Sequence, residues 1–269
     1  MERLVLKIGG SELEAIAYGA ADDFVAGLIT AVRALQKEVA VVLVHGGGKT
    51  IANLQAQLGL EARFVDGLRV TDDASLDVAE MVLSGLTNKR LAARFVSVGM
   101  RAVGLSGIDD GLIRVNRLSQ PGKDWGWVGD VTGANTSLLE ALLDQGIVPI
   151  ISPISLGLDG HSYNVNADHA AAALASALGA RELVFVSNVP GVLAGSSPTS
   201  ADKICLPLLS PGEVEALIVA GEINGGMIPK VRSALAALER GVERVRIANL
   251  EGLVCGEGTC FVRQEQVVH

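Results

Sequence analysis

A chain of 269 residues is long enough for one large domain or two lobes sharing a core, and too short for a multidomain assembly. Hydrophobic residues at 49%, charged residues at 19% and 32 glycines exclude an intrinsically disordered or collagen-like chain. Aromatics at only 3% leave Val, Ile, Leu and Ala to fill the interior, which suits parallel strands buried between helices, and a net charge of −8 argues against nucleic-acid binding.

In chain order, residues 4–8 form a short apolar strand closed by Gly9-Gly10, and residues 22–37 read as a helix. The run 39–44 is a second strand, closed by His45-Gly46-Gly47-Gly48, after which Ile51, Leu54 and Leu58 recur at helical spacing. A third helix is expected over 75–91, with Val78, Met81, Val82 and Leu86 on one face. Further strands fit 102–105, 112–116, 148–151 and 183–186, and the Ala-rich stretch 167–178 reads as a helix lying close on the sheet. Residues 116–136 form an excursion, a hairpin with a polar tip at 119–124 followed by Trp125 and Trp127, and 195–200 is a second polar, turn-forming stretch. Strands alternating with helices give an α/β fold with a mainly parallel sheet covered on both faces.

Three cysteines, Cys205, Cys255 and Cys260, are an odd number that argues for reduced thiols in a cytoplasmic protein. Cys255 and Cys260 are too far apart in sequence for a CxxC pair and are expected to pack. The first residues enter a strand pattern without a signal-type apolar region. No apolar run approaches the roughly 18 residues a membrane span requires, so no membrane association is expected.

The chemistry-bearing residues cluster in glycine-rich and apolar contexts. Glycine turns after two consecutive strands let backbone N–H groups approach an anion, and a following helix N-terminus adds a favourable dipole. Gly48-Lys49-Thr50 is not a P-loop, because position 43 is Leu where that motif needs Gly. Neither turn is a GxGxxG fingerprint, which argues against a nicotinamide enzyme. Lys7 interrupts an apolar strand, a costly position unless the charge is paired, functional or able to snorkel at a sheet edge. Asp168 opens the Ala-rich helix and has a bland reading as its cap. Together with Arg69, Asn164, Asn166 and Lys230 these residues suit phosphoryl transfer to an anionic acceptor.

Six elements recur in the order of one family: Leu6-Lys7-Ile8-Gly9-Gly10, Val44-His45-Gly46-Gly47-Gly48, Gly67-Leu68-Arg69-Val70-Thr71-Asp72, Gly104-Leu105-Ser106-Gly107, Tyr163-Asn164-Val165-Asn166-Ala167-Asp168 and Gly225-Gly226-Met227-Ile228-Pro229-Lys230. The chain thereby resembles the amino acid kinase family, and within it the members that phosphorylate N-acetyl-L-glutamate. The resemblance implies an open αβα sandwich, with residues 1–180 as the amino-acid lobe and residues 181–269 as the ATP lobe. It further implies a step of arginine biosynthesis in which ATP phosphorylates the side-chain carboxylate. By motif, Lys7 and Lys230 would stabilise the transferring phosphoryl group, oriented by Asp168. Gly47, Gly48, Arg69, Asn164 and Asn166 would hold the amino acid, with Arg69 on its α-carboxylate. Gly9, Gly10, the segment Asn188, Val189, Pro190, Gly191, Val192 and Leu193, and Glu222, Ile223 and Asn224 would border the nucleotide. Mg²⁺ would arrive with ATP, with no metal site of the protein's own.

Three features depart from the commonest pattern. Ser187-Asn188 stands where an Asp often follows Ser or Thr, and the passage from Ile247 to Thr259 is short; both resemble sister kinases that act on aminoadipate or glutamate carried by a small acidic protein in lysine biosynthesis. The third glycine of the His-Gly-Gly-Gly turn, the intact Gly-Leu-Arg-Val-Thr-Asp and the net charge of −8 favour a free acetylated amino acid instead. The first strand begins within a few residues of Met1, without the extra helix of arginine-inhibited relatives, so a homodimer built through the N-terminal lobe and little inhibited by arginine is expected. A catalytically silent binder of nucleotide or metabolite is a further alternative, disfavoured by the presence of Lys7, Asp168 and Lys230.

Overall fold

Alternation along the first strand decides which side chains meet. In the computed structural model, which describes residues 1–17, 23–194 and 204–263, strand β1 (Glu2–Ile8) sends Leu4, Leu6 and Ile8 into one core and Val5 into another, so Lys7 shares the face of Val5. Helices α1 (Glu14–Ala17) and α2 (Asp23–Leu35) follow, then the wholly buried strand β2 (Val39–His45) and helix α3 (Gly48–Gln57). A small hairpin of β3 (Phe64–Val65) and β4 (Leu68–Arg69) leads into α4 (Asp73–Glu80), a wide π turn over Met81–Thr87, and α5 (Asn88–Ser97). Strand β5 (Ala102–Gly107) precedes a long hairpin of β6 (Ile113–Gln120) and β7 (Lys123–Ala134), then α6 (Ser137–Asp144), β8 (Val148–Gly157) and β9 (Ser162–Asn164). Helix α7 (Ala167–Ala177) returns the chain to β10 (Glu182–Val186) in the middle of the sheet. The rest comprises β11 (Leu193–Ala194), β12 (Ile204–Cys205), β13 (Leu208–Leu209), α8 (Pro211–Val219), α9 (Met227–Glu239), β14 (Val245–Ala248), α10 (Leu250–Cys255) and β15 (Thr259–Phe261).

Among the described residues one eleven-stranded sheet runs in the order β13-β15-β14-β10-β1-β2-β8-β6-β7-β9, with β5 also paired to β8. Its centre, from β14 through β10, β1 and β2 to β8 and β5, is parallel, and antiparallel pairs lie outside it at β6–β7, β8–β9 and β14–β15. Helices cover both faces. Val5, Val42, Leu183 and Phe185 pack beneath α7 and α9, while Leu6, Leu43 and Val184 pack against Leu28 and Val32 of α2 and Phe95 of α5. Ala170, Ala171 and Ala175 are buried in α7, where small side chains let the helix approach the sheet closely. This is the mainly parallel sheet covered on both faces expected from the alternating elements, and the αβα sandwich that the family resemblance implies.

The expected helix at 75–91 differs in detail. It is a composite of α4, the π turn and α5, ending at Ser97. Val78, Ala79, Val82 and Leu83 form the buried stripe, and Met81 falls off it at 58% exposure. The wide turn adds a residue to the helical repeat and thereby rotates Thr87 and Asn88 onto the buried face. Cys255, expected to pack, is exposed in the last turn of α10, whereas Cys205 and Cys260 are half-buried. The polar stretch at 195–200 lies outside the described residues.

Candidate active site

The parallel centre of the sheet ends its strands along one edge, and helices begin there, the usual place for a ligand in an open α/β sheet. Ile8 pairs with His45, so the glycine turns that follow β1 and β2 lie side by side. A Cβ on Gly10 would stand 2.7 Å from the Gly47 nitrogen, so glycine is required for that approach. Gly47 is the N-cap of α3 and supplies no side chain to its first N–H groups. Helix α7 starts beside it, capped by Asn166, whose Oδ1 accepts from the Asp168 N–H at 2.8 Å. The capping role considered for Asp168 therefore belongs to Asn166.

A cleft of about 290 Å³ lies between these turns, and Lys7, Gly10, Gly47, Gly48, Arg69, Asn164 and Asn166 all line it. Phe64, Leu83 and Pro153 are among the other residues of its wall. Lys7 sits on an inner strand, between β2 and β10, so it does not snorkel at a sheet edge. Its Nζ lies 2.8 Å from Asp168 Oδ1, and both side chains are less than one-fifth exposed, at 19% and 16%. The contact is an ion pair without directed hydrogen-bond geometry. Lys230 occupies the first turn of α9 and donates to Ser187 Oγ at the end of β10. Burial pushes the Lys230 ammonium below its ordinary value; the Glu12 carboxylate opposes this, Lys7 reinforces it and Asp168 opposes it. Those mutual effects put the two lysines and two carboxylates in one electrostatic neighbourhood.

Arg69 reaches the same cleft from β4. Its Nη1 donates to Gln55 Oε1 at 2.5 Å and its Nη2 to the Gly48 carbonyl at 3.1 Å, while its Cζ lies 4.8 Å from the centre of the Phe64 ring. Burial pushes the guanidinium below its ordinary value. Asn164 donates from Nδ2 to Thr71 Oγ1 at 3.2 Å. Behind the second glycine turn, His45 is fully buried. Its Nδ1 is 3.1 Å from the Gly46 carbonyl, and its Nε2 is 3.1 Å from Asn88 Nδ2. The Asn88 amide nitrogen also donates to the Ile150 carbonyl at 2.8 Å and the Leu105 carbonyl at 3.2 Å. Such a network fits a neutral ring with its proton on Nδ1, and desolvation lowers the His45 pKa to about 4, opposed by the Gly46 carbonyl.

The nucleotide residues expected from motif are only partly gathered. Val189, Gly191, Val192, Leu193, Glu222, Ile223 and Asn224 surround a cavity of about 140 Å³ beside Met227, at the start of the helix that carries Lys230. Val192 and Ile223 are 1% and 2% exposed and belong to the core. Gly191 is required, since a Cβ there would lie 2.6 Å from both Cys205 Sγ and Thr259 Oγ1. Thr259 Oγ1 accepts from the Val192 N–H at 2.8 Å and donates to the Leu206 carbonyl at 2.6 Å, fixing the segment. Pro190 lines a separate cavity of about 490 Å³ with Asn249 and Gly258, and Asn188 is exposed beside Ser187. Gly9 lies under Glu12, whose Oε2 would stand 2.5 Å from a Cβ on that glycine. Glu12, Ser187, Gln55 and Phe64 are site residues that sequence reasoning missed. Among the described residues no group of three or more His, Cys, Asp or Glu is placed to hold a metal ion.

The model of the amino acid kinase family matches residues 2–249. The chain is 49% identical over 264 residues to an acetylglutamate kinase of Chloroflexus aurantiacus, covering 97% of each chain. It is 42% identical over 270 residues to an acetylglutamate kinase of Halalkalibacterium halodurans, covering 99% of this chain and 97% of that one. Among solved structures it is similar to N-acetylglutamate synthase from Neisseria gonorrhoeae complexed with coenzyme A and N-acetyl-glutamate. That match has a TM-score of 0.78 at 26% identity and covers 97% of this chain and 59% of that one.

Proposed function

The chain belongs to the amino acid kinase family, and from that premise we propose that it transfers the γ-phosphoryl group of ATP to the side-chain carboxylate of N-acetyl-L-glutamate. The products are N-acetyl-L-glutamyl 5-phosphate and ADP, and the step belongs to arginine biosynthesis. The observation that carries this reading is the convergence of Lys7, Asp168 and Arg69 with two glycine turns on one cleft, in a chain 42–49% identical to acetylglutamate kinases over nearly its whole length. The similarity to acetylglutamate kinases outweighs the Ser187-Asn188 departure that suggested a carrier-bound acid, and the presence of Lys7, Asp168 and Lys230 disfavours a silent binder.

The acceptor carboxylate is already ionised at neutral pH, so no general base is needed. One of its oxygens forms the bond to the γ-phosphorus, the bond to the β,γ-bridging oxygen breaks, and ADP leaves with that electron pair. The barrier is repulsion between anions. Lys7 and Lys230 offset it by meeting the equatorial oxygens of the transferring group, and Asp168 orients Lys7 by their ion pair. Gly47 and Gly48 present N–H groups at the start of α3, Arg69 clamps the α-carboxylate, and Asn164 and Asn166 border the substrate. Gly9 and Gly10 lie beside the phosphates, and Asn188 to Leu193 with Glu222 to Asn224 border the nucleotide. Mg²⁺ enters as MgATP, holding phosphate oxygens and water.

Residues 1–180 then act as the amino-acid lobe and 181–269 as the nucleotide lobe; β10 pairs with β1 across that boundary, so the lobes share one sheet. On the family resemblance the protein is a cytoplasmic homodimer, an assembly state that light scattering checks. No helix among the described residues is long and apolar enough to cross a membrane. The deciding assay is hydroxylamine trapping of the acyl phosphate with MgATP and N-acetyl-L-glutamate, against glutamate, N-acetyl-aminoadipate and carbamate. Hydroxamate from N-acetylglutamate alone is expected; absence of turnover with every free acid would overturn the reading.

A further inference from the structure

The arginine that clamps the substrate stands on very little structure of its own. Strands β3 and β4 contribute two residues each, pairing Phe64 with Arg69 and Val65 with Leu68, and Asp66 at their turn has a positive φ of 51°. A two-stranded ribbon of that size is unstable in isolation. Its geometry therefore has to be imposed from outside.

The imposing element is the end of the long β6–β7 hairpin. Gly126 forms a bridge with Thr71, two residues beyond Arg69. The Thr71 N–H donates to the Trp125 carbonyl at 2.9 Å, and the Trp127 N–H donates to the Thr71 carbonyl at 2.6 Å. Trp125, only 3% exposed, donates from Nε1 to the Val65 carbonyl at 3.1 Å, and Lys123 Nζ lies 2.6 Å from Asp66 Oδ2. Trp127 Nε1 donates to Asp73 Oδ1 at 2.5 Å, at the start of α4. Both ends of the small ribbon and the helix that follows it are thus fastened to three successive residues. Gly126 takes a φ of +68°, and a Cβ there would lie 2.1 Å from the Thr71 carbonyl oxygen, so no other residue permits the bridge.

We propose that Trp125, Gly126 and Trp127 are positioning residues for substrate recognition: they hold the Phe64–Arg69 ribbon so that the Arg69 guanidinium meets the α-carboxylate of the amino-acid substrate. The assignment rests on the reading of Arg69 given above. Placement of a bidentate clamp is sensitive to displacements of an ångström, so loosening the ribbon acts on amino-acid binding. The nucleotide residues lie on other elements and feel nothing.

The test uses the full-length protein with Gly126→Ala and, as the milder change, Trp125→Phe, which keeps a ring but removes the N–H donor. Gly126→Ala should raise the KM for N-acetyl-L-glutamate at least tenfold and Trp125→Phe severalfold, with the KM for ATP unchanged within twofold in both. Equal rises in both KM values, or parental KM values for the acid in both variants, would overturn the proposal. Hydrogen exchange supplies a readout independent of turnover: the Thr71 amide should exchange faster in Gly126→Ala, and an unchanged rate would overturn the strap even in an active enzyme. A parent protein that forms no hydroxamate with any acid is the separate failure of the functional reading, and it takes the role of Arg69 with it.

Discussion

A lysine on an inner strand of a parallel sheet loses its hydration and must recover the cost from a counter-charge or a ligand. At Lys7 both answers apply, since Asp168 lies 2.8 Å away and the ammonium still lines the cleft. This much was legible in the sequence, because a charged residue between Leu6 and Ile8 contradicts its surroundings. Ser187 and Glu12 were not legible: a serine after a strand and a glutamate after a glycine turn are ordinary, and only the fold brings them to Lys230. On the function proposed above, Lys230 meets the transferring phosphoryl group, a contact that strengthens as charge moves onto it. Lys230→Ala should therefore lower kcat by about two decades, each worth ~1.4 kcal/mol, with little change in KM for the acid. Steady-state kinetics checks this, and an undiminished kcat would remove Lys230 from the site.

At the scale of elements, apolar runs closed by glycines marked β1 and β2, helical spacing marked α2, and alanine content marked α7. Helical spacing misjudged the helix around Met81, because a π turn changes the repeat without any residue that announces it. Periodicity was also silent about Arg246, one residue of a short strand. Arg246 is 4% exposed and grips Glu182 through Nε at 3.0 Å and Nη2 at 2.8 Å. Its Nη1 donates to the carbonyls of Gly252 and Glu257 at 2.9 and 2.7 Å, tying α10 and the turn after it to β14. Arg246→Ala leaves Glu182 with Arg244 alone as its counter-charge and takes a donor from the Glu257 carbonyl, while the Gly252 carbonyl keeps the Glu257 N–H, at an expected cost of about 1–3 kcal/mol. Urea unfolding should show the loss as a lower midpoint, and a midpoint equal to the parent's would show that the pair contributes nothing net.

Over the whole molecule, the fold class followed from composition and alternation, but strand order did not. Local pattern cannot say that β10 lies beside β1, with Leu4 opposite Glu182, because that pairing is set by how helices fill both faces. Burial of His45 at the centre of this arrangement makes stability depend on pH. The unfolded ring takes up a proton near 6.5 and the folded ring only at about 4. The contribution is therefore complete above pH 6.5 and declines as pH falls from 6.5 towards 4, by roughly 3 kcal/mol over the window at ~1.4 kcal/mol per unit. Denaturation at pH 7 and pH 4.5 should show the decline in the parent and a smaller one in His45→Gln, which keeps an acceptor for Asn88 but cannot titrate. An equal decline in both would place the acid sensitivity elsewhere.

The chain has two tryptophans, Trp125 and Trp127, and both belong to the strap that fastens the Arg69 ribbon. Its indole emission is therefore a local signal. Trp125 is shielded by burial, and Trp127 stacks on His161 at 4.8 Å between ring centres with Arg117 5.5 Å from its own. Light absorbed by the indole rings of this molecule is emitted from the strap that holds the Arg69 ribbon. The protein thus carries a built-in optical probe of that strap, and its tryptophan fluorescence reports on this one region of the sheet.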